Sequence, residues 1–296
     1  MSSKDLTSIE PNLKFKKQSV ENNIKIISID GKKIPLPTEI EISESGTCNR
    51  KCVFCPRSAE GFEDKKIFID IELVKKVSKE LKELNYSGVI RFSGFVEPLL
   101  DKNIFQHIKT FKDSCERARI ELVTNGDVLN LKRLKKLFSN GLSKILVSVY
   151  DSYEDAIKFE KMMKQANLNK SQYIIRHRYL PPEENFGIIL SNRAGEMNSA
   201  EYKIKKLDKP LDQACFIPAY TLFFDYTGEV LICPHDWGKK LVVGNLKISK
   251  LIDIWTSKKL ISVRKMLLNK KRNFSPCNLC DVNGTLMGEV NASYFK

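Results

Sequence analysis

Cys48, Cys52 and Cys55 stand at the spacing C-x3-C-x2-C on one short stretch. Three thiolates so close in sequence can converge on one soft metal centre, and a [4Fe–4S] cube held by only three of them keeps one iron without a protein ligand. Such an iron is a place for chemistry. Closed tetrahedral zinc would want a fourth Cys or His nearby, and the nearest histidine is His107. Structural thiols that bind nothing are the plain alternative, because a short spacing also arises by chance. A second set, Cys215, Cys233, Cys277 and Cys280, reads C-x17-C, a long gap, then C-x2-C. Four thiolates suit either zinc or a fully ligated [4Fe–4S] cluster, and spacing does not choose between them.

Polar residues gather where a parallel sheet would bind a ligand. Asn125, in Thr124-Asn125-Gly126, ends one predicted strand and Ser148 lies near the end of the next, outside which α/β sheets seat ligands. Both are candidate cofactor contacts. Arg176, His177, Arg178 and Tyr179 crowd a further strand, and Asn192 and Arg193 follow the next apolar run. Polar groups on a buried strand are unfavourable unless paired, so some of these should face a cavity. Arg176 and Arg178 share one face of a strand, and either suits a cofactor carboxylate or an anionic substrate held by a guanidinium fork. His235 follows Cys233-Pro234; with four cysteines already available it is read as a neighbour of the ligands or a surface group. Cys115 belongs to neither set and is read as a small hydrophobe on a helix face with Ile104, Ile108 and Phe111.

The Cys48–Cys55 loop, with Phe54 just before its last cysteine, resembles the signature of the radical S-adenosylmethionine (radical SAM) family. The resemblance implies that the methionine amine and carboxylate of the cofactor chelate the open iron. An electron from the cluster then cleaves the sulfonium, and a 5′-deoxyadenosyl radical takes a hydrogen atom from substrate. A reductase such as flavodoxin or ferredoxin is implied as electron donor. Ser93-Gly94 and Glu97-Pro98 match in part the family's Gly-Gly-Glu-Pro motif, which grips the methionine amine; a serine replaces one glycine and two residues intervene before Glu97. Small residues there let backbone approach a ligand.

The C-terminal stretch is similar to the SPASM/twitch group of the same family. Cys215 precedes Pro218 and a Tyr-x-Gly turn at Tyr226–Gly228, and Cys233-Pro234 follows. Val243-Gly244-Asn245-Leu246 is succeeded by Ile254-Trp255 and by the Cys277–Cys280 knuckle. Full SPASM domains carry further cysteines, which this sequence lacks. The resemblance is therefore to the one-cluster twitch form, with Cys215, Cys233, Cys277 and Cys280 holding an auxiliary [4Fe–4S] cluster for electron transfer or for structure.

These residues need elements to position them. Residues 1–23 are polar and aperiodic, which predicts a loose arm, and Ile24–Leu36 reads as a β-hairpin turning at Asp30-Gly31. From Glu39 strands and helices alternate. Strands are predicted at Glu39–Ser45, Gly88–Gly94, Arg119–Asn125, Lys144–Tyr150 and Tyr173–Tyr179. Between them come amphipathic helices after Asp70, over Asp101–Cys115, Leu131–Phe138 and Ser152–Gln165. Near-continuous apolar strands between helices predict a parallel sheet buried on both sides. The segment before the apolar run Phe186–Leu190 is too short for a crossover helix, so a sixth strand there is missing, antiparallel or displaced. From about Lys206 a hairpin at Thr221–Cys233 and one helix at Ser249–Leu268 are predicted. The expected division is 1–37 arm and hairpin, 38–205 a partial (β/α)6-type radical SAM barrel, and 206–296 a small α+β twitch/SPASM-like iron–sulfur domain.

A chain of 296 residues that is 42% apolar can bury a full core. No apolar run is long enough for a membrane span and the first residues are too polar for a signal peptide, so a cytoplasmic location is expected, where cysteines bind metals rather than pair. Fifty basic against 36 acidic residues leave +14. The field suits an anionic small molecule; nucleic acid is not favoured, since the lysines are spread along helix faces without an arginine-rich arm. With the auxiliary cluster fully ligated and no spare donor thiol, the expected reaction is hydrogen-atom abstraction and net oxidation of a sugar-like or aminocyclitol substrate. A peptide-modifying maturase or an epimerase is the alternative within the family, and a non-enzymatic zinc protein the alternative outside it.

Overall fold

The computed structural model describes residues 11–59, 61–180, 190–199 and 203–296. It begins with a helix, α1 (Pro11–Asn22), where the sequence predicts a loose arm. Its support is tertiary, which aperiodic sequence cannot announce. Val20 is buried, Lys16 pairs with Glu39 at 3.0 Å, and Arg119 and Lys144 cover the Phe15 ring at 4.5 and 3.2 Å. The hairpin follows as β1 (Ile26–Ile29) and β2 (Lys32–Pro35), with Asp30 and Gly31 at φ 49° and 74°, the left-handed pair that a two-residue turn requires.

Strand β3 (Glu39–Ser43) leads to β4 (Ser45–Gly46), which pairs antiparallel with β5 (Lys65–Phe68). The cysteine loop is thus closed at its base by a two-stranded ribbon. Helix α2 (Ile71–Glu83) starts at Asp70, whose carboxylate accepts the Glu72 N–H at 2.9 Å. Strands and helices then alternate: β6 (Val89–Phe92), α3 (Ile104–Ser114), β7 (Arg119–Thr124), α4 (Leu131–Ser139), β8 (Lys144–Val149), α5 (Tyr153–Gln165) and β9 (Tyr173–His177). Helix α3 starts later than predicted because the Asp101 backbone is extended and its carboxylate accepts the Asn103 N–H at 2.7 Å. Strands β3, β6, β7, β8 and β9 are parallel neighbours in that order, with Ile40, Ile90, Ile120 and Ile145 buried in their centres.

The run Phe186–Leu190 lies, except for its last residue, outside the described residues. The parallel row gains a sixth strand from another part of the chain. After the short helix α6 (Ile217–Tyr220), β10 (Thr221–Asp225) pairs parallel with β3, in register from Thr221↔Glu39 to Asp225↔Ser43. Strands β11 (Glu229–Leu231) and β12 (Val242–Asn245) continue antiparallel, so that among the described residues one eight-stranded sheet runs β12-β11-β10-β3-β6-β7-β8-β9.

The single helix predicted at Ser249–Leu268 is two, α7 (Leu251–Trp255) and α8 (Lys258–Leu268). Ser257 breaks it: its backbone is extended and its hydroxyl accepts the Leu260 N–H, capping α8. A last helix, α9 (Glu289–Ser293), follows the knuckle. Phe224, Leu246 and Trp255 share one apolar cluster with Ile42, Val74 and Phe92. Among the described residues no helix is long and apolar enough to cross a membrane.

Candidate active site and cysteine clusters

The three cysteines of the first set lie on the loop between β4 and a turn at Pro56–Ser58, where the Cys55 N–H donates to the Cys52 carbonyl at 2.8 Å. All three are half-buried free thiols. Burial pushes each upward, Cys52 to about 11 with help from its two neighbours. They are therefore thiols until a cation compensates their charge, as metal binding with proton release requires.

Side chains of this loop grip the ends of two strands. Arg50 donates from Nε to Asp127 at 2.7 Å and from Nη1 to Asp151 at 2.9 Å, and its guanidinium lies 5.4 Å from the Tyr150 ring centre. Phe54 stacks on the same ring at 5.5 Å. Asn125 donates to Asn49 at 2.8 Å and, weakly, to the Cys48 sulfur at 3.9 Å.

Facing the loop is a cavity of about 400 Å³, a size that takes a small-molecule ligand. Cys48, Cys52 and Cys55 line one side. Ser93, Gly94, Glu97, Asn125, Ser148, Arg176 and Arg178 line the strand ends, so the structure brings together every cofactor contact expected from sequence. Gly94 has φ +96°, and a Cβ there would come within 3.0 Å of the Phe223 ring. Ser93 donates to Glu41 at 2.6 Å, and Arg176 donates to Ser148.

Glu97 is buried and already engaged. It caps the Pro98–Leu100 turn by accepting the Leu99 N–H at 3.0 Å, and it accepts the Thr124 hydroxyl at 2.6 Å and the Asn125 N–H at 2.7 Å. Burial still outweighs those bonds and pushes its carboxyl up to about 7. Its role in the protein fabric is to hold the β7 end, with Asn125, against the cysteine loop, where its own N–H donates to the Thr47 carbonyl at 3.1 Å.

The rest of the lining comes from elsewhere in the chain. Lys16 of α1, Arg193, Pro234, His235 and Trp237 complete the lining. Sequence reading placed His235 beside the ligands or on the surface. The structure turns it into the cavity instead, and burial, then the charges of Arg193 and Lys16, push it down to about 3, so it is neutral. Lys16, Arg50 and Trp237 carried no sequence signal, since each becomes a site residue only through packing of a distant segment. Cys115 is buried and away from the cavity, its sulfur 3.8 Å from the Ser78 carbonyl, as a small hydrophobe should be.

Cys215, Cys233, Cys277 and Cys280 converge in the C-terminal part, each raised by burial and most of them by one another's charge. Buried Arg272 organises them: its guanidinium donates to the Gln213 and Ala214 carbonyls at 2.9 Å and to Val282 at 3.2 Å, tying the Cys215 segment to the knuckle. None of the four lines the cavity. Among the described residues no three His, Cys, Asp or Glu side chains close around a single-ion position. A three-thiol loop opening onto a ligand cavity fits a cluster with one free iron, and four shielded thiols fit one that is fully ligated.

Comparison with known proteins agrees. Residues 42–180 match the Radical SAM superfamily and residues 215–281 match SPASM, an iron–sulfur cluster-binding domain. The chain is 31% identical, over 82% of its length and 92% of the relative's, to an S-adenosyl-L-methionine-dependent 2-deoxy-scyllo-inosamine dehydrogenase of Niallia circulans. It superposes on the crystal structure of BtrN in complex with AdoMet and 2-DOIA with TM-score 0.69 and 29% identity, covering 84% of this chain and 95% of that one. On BtrN in an open conformation the TM-score is 0.61 at 27% identity, covering 83% and 93%. A structure of anSMEcpe with bound AdoMet shares the fold at TM-score 0.53 and 12% identity, covering 88% and 92%.

Proposed function

This chain belongs to the radical SAM superfamily and carries a SPASM iron–sulfur domain, and from that premise we propose that it oxidises a secondary alcohol carbon of a small sugar-like or aminocyclitol ring to a ketone. One observation carries the reading: the three-thiol loop and the segment following Cys233 line the same cavity, in a chain 31% identical to an S-adenosyl-L-methionine-dependent 2-deoxy-scyllo-inosamine dehydrogenase. Cys48, Cys52 and Cys55 would hold the cluster that binds S-adenosylmethionine, and Cys215, Cys233, Cys277 and Cys280 the auxiliary one. When bound, cluster and cofactor supply a 5′-deoxyadenosyl radical that removes a hydrogen atom from carbon. The small side chains at Ser93 and Gly94 leave room for the cofactor against backbone. Asn125, Ser148 and Arg176 offer it an amide, a hydroxyl and a guanidinium.

The oxidation is balanced when the alcohol loses a hydrogen atom from carbon to the deoxyadenosyl radical, a proton from oxygen to solvent, and one further electron, for which the auxiliary cluster that Cys215, Cys233, Cys277 and Cys280 would hold is the acceptor. Cys115 is shut off from the cavity and returns no hydrogen atom, which favours oxidation over epimerisation. The reducing electron for the cofactor would come from a flavodoxin or ferredoxin in a cytoplasmic setting that keeps the thiols free. The test is anaerobic reconstitution followed by incubation with S-adenosylmethionine, a reductant and 2-deoxy-scyllo-inosamine or a neutral inositol in deuterated water. A ketone with 5′-deoxyadenosine is expected. An alcohol product carrying deuterium at the reacting carbon would identify an epimerase and end the dehydrogenase reading.

A further inference from the structure

Charge in the cavity is uneven. Among the described residues two carboxyl side chains, Glu41 and Glu97, line it against Lys16 and six arginines. Several of those cations have partners: Lys16 and Arg91 share Glu39, Arg91 also holds Glu121, Arg57 holds Asp64, and Arg50 holds Asp127 and Asp151. Arg193 is different. Its Nε, like that of Arg176, is shut off from solvent without a hydrogen-bond partner, but whereas Arg176 donates to Ser148, no ion pair among the described residues involves Arg193. Glu97 is engaged by three donors, and Glu41 accepts from Ser93.

The backbone is bent to put Arg193 there. Arg193, Ala194 and Gly195 have φ of 48°, 54° and 91°, and two successive non-glycine residues in the left-handed region persist only where the surroundings impose them. Asn192, fully buried, imposes them. Its N–H meets both carboxylate oxygens of Asp281 at 2.9 Å, its amide donates to the Leu279 carbonyl at 2.6 Å, and its side-chain oxygen accepts the Gly195 N–H at 3.2 Å. A Cβ on Gly195 would come 2.9 Å from the Leu279 side chain. The Arg193 turn is therefore locked onto the Cys277–Cys280 knuckle, and Arg193 lines the cavity.

Resting on the oxidation reading, we infer that Arg193 seats an anionic group of the substrate, a carboxylate or a phosphate on the ring, and so selects an acidic sugar or cyclitol over an amine-bearing one. A guanidinium whose Nε is shut off from solvent with no acceptor is unfavourable, and an ammonium brought beside it would add repulsion. A carboxylate or phosphate answers both with a two-pronged, charge-assisted contact. Among the described residues, the two carboxyl groups that an inosamine amine could meet in this cavity, Glu41 and Glu97, already accept hydrogen bonds.

Equilibrium binding to the reconstituted, cofactor-loaded enzyme tests this with four rings: a hexuronate, an inositol monophosphate, neutral scyllo-inositol and 2-deoxy-scyllo-inosamine. At least one anionic ring is expected to bind tighter than the amine by roughly 10- to 100-fold, the worth of a charged hydrogen-bonded contact; which one it is tells carboxylate from phosphate. Arg193→Gln should erase that preference, bringing the anionic rings down to the affinity of scyllo-inositol for the same variant, and Arg193→Lys should keep part of it, with thermal melting and iron content confirming intact protein. Equal or tighter binding of the amine by the wild type overturns the inference. So does an Arg193→Gln enzyme that loses affinity for S-adenosylmethionine with no ring present, because the anion would then be the cofactor's own carboxylate. Failure of every ring to give a ketone counts against the oxidation reading alone, since the binding preference is read without turnover.

Discussion

Glu44 is fully buried just before the cysteine loop, and neither of its carboxyl oxygens has a hydrogen-bond partner. Burial pushes it well above the ordinary 4.5, and pushes Glu97 up to about 7. Below the unfolded value both states hold these protons. Above it the unfolded chain releases protons that the folded chain keeps, so stability is fully present at low pH and is lost as pH rises through the folded values. Melting of the protein before cluster reconstitution should therefore fall between about pH 5 and about pH 8. Glu44→Met should flatten that fall and add about 1–3 kcal/mol at the upper pH by removing an unsatisfied buried polar group. Destabilisation by that variant would mean that Glu44 works as an anion. No pattern of residue types announces such a site: Glu44 reads as polar and solvated until the sheet closes over it.

At the scale of the element, the cysteine loop is short, polar and fastened from outside. Arg50, about a quarter exposed, forks to Asp127 and Asp151 beyond the ends of β7 and β8. Exposed pairs of this kind contribute about 0–1 kcal/mol each, so Arg50→Ala should hardly change melting. Its effect should be on the loop: the variant is expected to lose iron to a chelator faster than wild type, and Arg50→Lys to be intermediate because an ammonium cannot fork. Equal iron release in all three would show that the clasp does not position the loop. For the two cysteine sets themselves, reconstituted protein should hold about eight irons, four per cluster, and replacing Cys48, Cys52 and Cys55 by Ala should leave about four. The loop was legible from spacing. Its clasp was not, since Arg50 lies 77 and 101 residues from its partners.

For the whole molecule, the C-terminal segment is built into the barrel rather than appended to it. Strand β10 pairs along the whole of β3, and Thr38 donates to the Tyr220 carbonyl at 3.2 Å beside it. Buried Arg264 packs between Trp255 and Phe295 at 3.8 and 4.2 Å, while the Trp255 indole donates to the Pro35 carbonyl at 2.8 Å. Separating residues 1–205 from 206–296 would strip β3 and β10 of each other and leave two apolar edges open. Expressed apart, neither piece should show dispersed amide signals by NMR, and co-expression should restore them. A C-terminal piece that folded and bound its cluster alone would show that the shared sheet is not what holds it.

Local rules sufficed for much of this protein. The Asp30-Gly31 turn, the Asp70 cap, the alternation of apolar strands with amphipathic helices and the Cys48–Cys55 loop each depend on residues close in sequence, where conformational preference and chelate spacing act directly. Tertiary structure decided the rest. Helix α1 forms because Phe15, Lys16 and Val20 meet the barrel, the sixth parallel strand comes from Thr221–Asp225 because β3 had an open edge, and Arg193 lines the ligand cavity because the knuckle at Cys277–Cys280 holds its segment there, with His235 against the same segment at Ser191. In each case the interacting groups are remote along the chain, and neither periodicity nor spacing encodes which remote surfaces will meet.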